Sequence, residues 1–332
     1  MMRPLLFLIA LLFARAGLSV TRYVDGNLSA DCTTGNYSIA NRTCTGTDGD
    51  AYRTLKLGIP TMTAASDILY VRAGTYSDNL YSTTMTFPRG GTSSGTAIVI
   101  SGYLSEVATI TGEIAVYGDS FTDLTNPQYY RWQKFTIDVP SRETCMSIIG
   151  QSGRAAQFWE LEDITCKNAT KTGLKLLPPP GYNFGWTITR ATVHNNGGTN
   201  PLEHGIYLVG ANTTIQDSTV HTNAGYGIHQ FSSASTVENS NIIRRNLVYG
   251  NATAVGTSGG IVIGSGTGNQ AYNNIVRGSS QDICIQVDFN SVNGKVYNNT
   301  CYNTGGDGIV VGSDGTNTGN EIKNNIVKGS TG

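Results

Sequence analysis

Charge is scarce in this sequence. Only 14% of its residues are Asp, Glu, Lys or Arg, and the formal net charge is −1. A chain so near neutrality has no field to gather nucleic acid or an anionic membrane, so neither is expected as a partner. Helical periodicity is missing as well, which excludes ankyrin, tetratricopeptide and armadillo arrays. The Leu framework of a leucine-rich repeat is also absent. There is no CxxC and no HxxxH spacing, so no zinc site is announced and the metal reading stays unknown. Beyond the first residues no run is apolar enough to span a bilayer. The exception, Met1–Ala16, has Arg3, an apolar core over Leu5–Ala14 and a small-x-small site at Ala14-Arg15-Ala16. That is the pattern of a signal peptide, and it predicts a secreted protein (extracellular, cell-surface or periplasmic).

What the sequence does have is a repeat. One valine slot recurs at Val193, Val220, Val248, Val276, Cys301 and Val327, in steps of 27, 28, 28, 25 and 26 residues. Five residues before each slot stands Ile188, Ile215, Ile243, Ala271, Val296 or Ile322. Two residues before it, the last four copies carry Asn246, Asn274, Asn299 and Asn325. Ile-x-x-x-x-Val is too short for a helix. A second short strand follows a turn, as in Gly205-Ile206-Tyr207-Leu208 and Gly227-Ile228-His229-Gln230. Alternation turns each Ile inward and the next residue outward. Three short strands per turn of roughly 22–28 residues is the arithmetic of a parallel β-helix. Stacked Asn side chains fit a tight turn that tolerates the left-handed conformation. Gly makes up 41 of the 332 residues. With apolar residues on a strict period, that is turn-rich β composition rather than disorder.

The cysteines suit an oxidising compartment. Cys32 and Cys44 close a short Gly/Asn/Thr-rich loop, a plausible disulfide. Cys166 and Cys301 fall in the inward valine slot, and Cys145 and Cys284 in the slot before the inward residue of the second strand. Those columns read as too far apart to bridge, so these four are expected to be free, buried, small hydrophobes.

In chain order, residues 17–65 form an N-terminal strand, loop and cap region, and 66–332 the solenoid. Asp50–Leu55 opens a short capped helix over the first coil, limited by Pro60 to little more than two turns. The chain stops at Gly332 in mid-coil with no cap sequence, so a further domain or partner chain is expected at that end.

The stretches DILYVRAGTYSDN (67–79), GTAIVISGY (95–103) and ATITG (108–112), with the later HGIYL and YGIH coils, resemble secreted right-handed parallel β-helix proteins of the pectin-lyase-like superfamily. The resemblance covers nearly all of the mature chain. It implies an all-β, single-stranded right-handed parallel β-helix with an N-terminal cap. It also implies polysaccharide chemistry by lyases, hydrolases or epimerases, or a non-catalytic adhesin. The sharper motifs of its subfamilies are absent: neither the Asp-Asp, Gly-His-Gly, Arg-x-Lys set of polygalacturonases nor the Asp-Pro-His of alginate epimerases occurs. Fold alone therefore does not assign the function.

The outward columns carry what remains. The residue after each valine slot reads Lys167, His194, His221, Tyr249, Arg277, Tyr302, Lys328. The outward residue of the second strand reads Ser147, Lys175, Tyr207, His229, Val262, Gln286, Val310. All four histidines fall within three consecutive coils. The turn between the columns takes 12 residues from Val193 to Gly205, 7 from Val220 to Gly227 and 12 from Val248 to Gly260. Two projecting loops, Asn195–His204 and Asn251–Gly259, are expected to wall a groove floored by His221 and His229. The chemistry that fits is β-elimination on a uronic-acid polysaccharide. It needs a base to take the proton α to the carboxylate and a cation to hold the developing charge. His229 or Tyr207 would be the base, with Lys175 or Lys167 the cation. His194, His221, Tyr249 and Glu203-His204 at the loop tip would bind substrate. Ca2+ is the only cofactor candidate; Asp217, Asp282, Asp288 and Asp307 would be its ligands or else hydrolytic acids, although scattered Asp residues in turns more often cap them. A glycoside hydrolase, which needs two nearby carboxylates, and a non-catalytic glycan-binding surface protein are the alternatives.

Overall fold

The computed structural model describes residues 19–88, 90–117, 128–150, 156–178, 183–231, 238–254, 259–278, 283–312 and 314–330. The expected signal peptide lies outside them. Among the described residues, three parallel sheets of 12, 10 and 9 strands run the length of a right-handed β-solenoid. Each coil gives one strand to each sheet in turn. We call them sheet 1 (for example Thr214–Gln216), sheet 2 (Thr219–His221) and sheet 3 (Ile228–Gln230).

The repeat read from the sequence is the register. Ile188, Ile215, Ile243, Ala271, Val296 and Ile322 pair in order across sheet 1. The valine slot pairs from Cys166 to Val327 across sheet 2. Both columns point into one continuous core as far as Val296 and Cys301, while Ile322 and Val327 in the last coil are exposed. Toward the N-terminal half that core is filled by an aromatic stack. Tyr130 and Trp159 lie 5.1 Å apart and Trp159 and Trp186 5.3 Å.

Amide ladders hold the corners. Between sheets 1 and 2, Asn274 Oδ1 accepts from the backbone N–H of Asn246 (3.0 Å), while its Nδ2 donates to the carbonyl of Ile243 (2.9 Å) and to Asn299 Oδ1 (3.0 Å). Asn246, Asn299 and Asn325 take part in the same way. The residue before each Asn rung, Arg245, Asn273, Asn298 or Asn324, has φ between 53° and 56°. A left-handed residue costs non-glycine side chains energy, so the corner survives because the buried amide satisfies the backbone groups it exposes. Two ladders were not legible in the repeat. Asn196, Asn223 and Asn251 stack between sheets 2 and 3, and Asn241 and Asn269 between sheets 3 and 1.

The expected cap begins later than the sequence suggested. Asp50–Tyr52 is a strand of sheet 1, and the helix is a single turn over Leu55–Gly58, capped by the Thr54 side chain and continued through Pro60. Leu55, Ile59 and Met62 are buried against Val24 and Leu69, and so cover the first coil. The Cys32–Cys44 disulfide is present. It pins the loop that carries Tyr37, which builds a second small core with Tyr23 and Leu28.

The expectation of four free cysteines is overturned: Cys145 bonds Cys166 and Cys284 bonds Cys301. The reason lies at the corner before sheet 3. Most coils carry a glycine there, and a Cβ on it would point at the valine slot of the next coil. At Gly227 that Cβ would stand 2.6 Å from Val248 Cγ1, and at Gly260 2.3 Å from Val276 Cγ1. Cys145 and Cys284 occupy this glycine column, and Cys166 and Cys301 the following valine slot. The two columns converge between successive coils, with Cα atoms 5.9 and 5.8 Å apart, within disulfide reach. Each bridge therefore staples one coil to the next. Replacing Cys284 and Cys301 together by Ala is expected to cost about 3 kcal/mol, the loop-closure entropy of a short cross-linked segment. A lower denaturation midpoint of the oxidised variant than of the oxidised wild type, with the difference shrinking when both are reduced, would show it.

Candidate functional site

The outward column of sheet 3 is aligned as the sequence predicted: Ser147, Lys175, Tyr207, His229, Val262 and Gln286 are successive rungs. Lys175 and Tyr207 lie in a cleft of about 270 Å3. Its wall is the loop after sheet 2, through Asn200, Leu202 and Glu203, and its rim is Glu143, paired with Lys171 at 2.7 Å. Glu203 is fixed by the N–H of Gly198, which donates to its Oε2 at 2.7 Å. His229 occupies the next rung, its ring 5.3 Å from Tyr207.

The histidines do not share one floor. His194 and His221 stack at 4.7 Å on the outer face of sheet 2, and His221 stacks on Tyr249 at 4.7 Å. His204 and His229 make a separate cluster over sheet 3, 4.3 Å between centroids. Lys167 belongs to the sheet 2 row, where Asp138 holds it at 3.1 Å. Lys175, Tyr207 and Glu203 therefore share the cleft, with His229 buried on the next rung against Tyr207, whereas Lys167, His194, His221 and Tyr249 form a row of their own. The second expected wall, Asn251–Gly259, lies partly outside the described residues. Its first residue, Asn251, is a buried rung of an amide ladder rather than a loop side chain.

His204 is not at a loop tip. It is 2% exposed, and its Nδ1 accepts from the backbone N–H of Tyr226 at 3.1 Å, so it organises the turn. Burial pushes its pKa down to about 4. His229 is also buried, and desolvation, helped by His204, holds its pKa well below the ordinary value. Its imidazole is neutral at neutral pH, and its buried Nδ1 has no hydrogen-bond partner. Tyr207 moves the other way: burial first, then the charge of Glu238, raises its pKa. Its phenol keeps its proton at neutral pH.

Tyr226 is the residue the sequence reading missed. It stacks on His229 at 4.7 Å and 6°, and its hydroxyl is 2.9 Å from Gln286 Oε1, two coils on. It stands in neither outward column read from the sequence, and only its place before the corner Gly227 marked it. Of the acidic candidates, Asp217 is paired with Arg245 at 2.7 Å, and Asp288 caps the N–H groups of Phe289 and Asp314. Asp282 lies outside the described residues, and Asp307 is exposed. Among the described residues no three His, Cys, Asp or Glu side chains are placed to hold a metal ion, and no helix is long and apolar enough to cross a membrane.

The buried imidazoles set a pH response. His204 binds a proton in the unfolded chain below about pH 6.5 but in the folded chain only near pH 4, so stability falls as pH drops through that window. The expected loss is about 3 kcal/mol. Denaturation midpoints between pH 7 and 4 would measure it, and His204→Gln is expected to flatten the slope.

Comparison with known proteins agrees with this architecture. Residues 181–332 match the family described as a right-handed beta helix region. No curated protein sequence matches the chain. Among solved structures, the pectate lyase Pel9A superposes with a TM-score of 0.55 at 13% identity, over 93% of this chain and 80% of that one. The A-module of the Azotobacter vinelandii mannuronan C-5 epimerase AlgE6 aligns with a TM-score of 0.33 at 11% identity, over 83% of this chain and 94% of that one. The ladders, the register and the family match together make this chain a right-handed parallel β-helix protein with a fold similar to that of a pectate lyase.

Proposed function

We propose that the protein is secreted and cleaves an acidic, uronic-acid-containing polysaccharide by β-elimination in the cleft over sheet 3. The observation that carries this reading is the run Lys175, Tyr207, His229 on three successive rungs beside a walled cleft. In this scheme the Lys175 ammonium holds the uronate carboxylate. That interaction strengthens as negative charge spreads onto the carboxylate when the α proton leaves. The neutral imidazole of His229 takes that proton. The C–O bond to the leaving sugar then breaks, and Tyr207 gives its phenolic proton to the departing oxygen. The pKa directions support this division of labour, because the lowered imidazole is unprotonated and the raised phenol is not. The carbohydrate class is supported by the cleft and by the pectin-lyase-like resemblance. Secretion is supported by three disulfides with no free cysteine.

Two carboxylates, Glu143 and Glu203, line the same cleft, and they favour hydrolysis as the second reading. Incubation with pectate, alginate and glycosaminoglycans, followed by ultraviolet absorbance, separates the two. Elimination produces an absorbing unsaturated uronate, whereas hydrolysis gives reducing ends without it. Lys175→Ala and His229→Ala are each expected to lower kcat/KM by about 10²–10⁴-fold with the far-ultraviolet circular dichroism unchanged. A flat trace on every polymer overturns the elimination reading.

A further inference from the structure

Sheet 2 carries a second row of side chains that the cleft does not use. His194, His221, Tyr249, Arg277, Tyr302 and Lys328 are successive outward rungs. The rings of His194, His221 and Tyr249 repeat at 4.7 Å within 8° of parallel, and the guanidinium of Arg277 stands 5.2 Å from the Tyr249 centroid. Side chains stacked in this way present their edges to solvent. The row is thus a line of polar tips, one per coil, along the solenoid axis. Beside it runs the outward column Thr192, Thr219, Leu247, Ile275, Thr300 and Ile326. Neither column contains a carboxylate from Thr192 to Lys328. The Lys167 charge before them is met by Asp138, whereas Arg277 stacks on Tyr249 without an ion pair among the described residues. Arg277, Tyr249 and Tyr302 line a shallow hollow of about 210 Å3, with Tyr302 42% exposed.

We propose that this row is a second binding site, separate from the cleft, for an extended acidic polysaccharide lying along the solenoid axis. One polar tip every 4.7 Å matches a chain whose own repeat is about one sugar ring. A compact ligand would use only one or two rungs. The carboxylates of the chain go to Arg277 and Lys328, where the face is positive and free of acids. Tyr249 and Tyr302 flank Arg277 with hydroxyls and apolar ring surface. Held there, a polymer would present its other stretches to the cleft at high effective concentration. The ligand class rests on the function proposed above, but the position of the site does not.

Electrophoresis of the full chain through gels containing pectate or alginate, with a neutral glucan gel as control, tests this. The wild type should be retarded in an acidic gel and not in the neutral one. Arg277→Ala and Tyr249→Ala should each weaken the apparent Kd about tenfold, as loss of one charge-assisted contact would. Lys175→Ala should lower turnover about 10²–10⁴-fold yet keep the retardation. No retardation of the wild type in either acidic gel overturns the proposal, as does retardation that survives both sheet 2 substitutions in well-folded protein. Retardation without turnover leaves this site standing and removes the cleft reading. Turnover with retardation indifferent to Arg277 and Tyr249 does the reverse.

Discussion

Every strand in this solenoid finds its backbone partners only in the coils above and below. A coil that slipped by one residue would turn its core side chains outward and its polar ones in. Everything else depends on preventing that slip, and the corners do so. Each amide rung accepts from the coil before it and donates to the coil after it, so a buried Asn is satisfied only at one register. The cost of leaving such a group unpaired exceeds the gain from any single bond, which makes the ladders lock the stack rather than merely decorate it.

The disulfides follow from the same convergence of columns. Where the corner is glycine, the next valine fills the space its missing Cβ leaves. Where both positions are cysteine, a covalent bond takes that place. A local packing rule thus has two chemical solutions, one apolar and one cross-linked. The cross-linked form appears twice among the described coils, at widely separated heights.

Fixed register also builds the candidate sites. Residues far apart in sequence become neighbours one strand spacing apart, so a row of outward positions is a row in space. Over sheet 3 the row is roofed by the long loop and by Tyr226, and burial shifts His229 and Tyr207 in opposite directions. Over sheet 2 the equivalent row stays open and its rings stack on one another. One periodic scaffold therefore gives a desolvated cleft on one face and a solvated strip on the next. The difference comes from the loops rather than from the strands.

The spacing of Ile and Val determined the solenoid, its register, one amide ladder and the identity of both outward columns, because period and alternation are local properties that sequence carries directly. The Cys32–Cys44 bridge was legible too, since its loop is short. The tertiary structure alone decided which columns converge. That depends on the angle at each corner, and the spacing of residues does not encode it. The angle joined Cys145 to Cys166 and Cys284 to Cys301. It also sent His221 and His229 to different faces, buried His204 and brought Tyr226 onto His229.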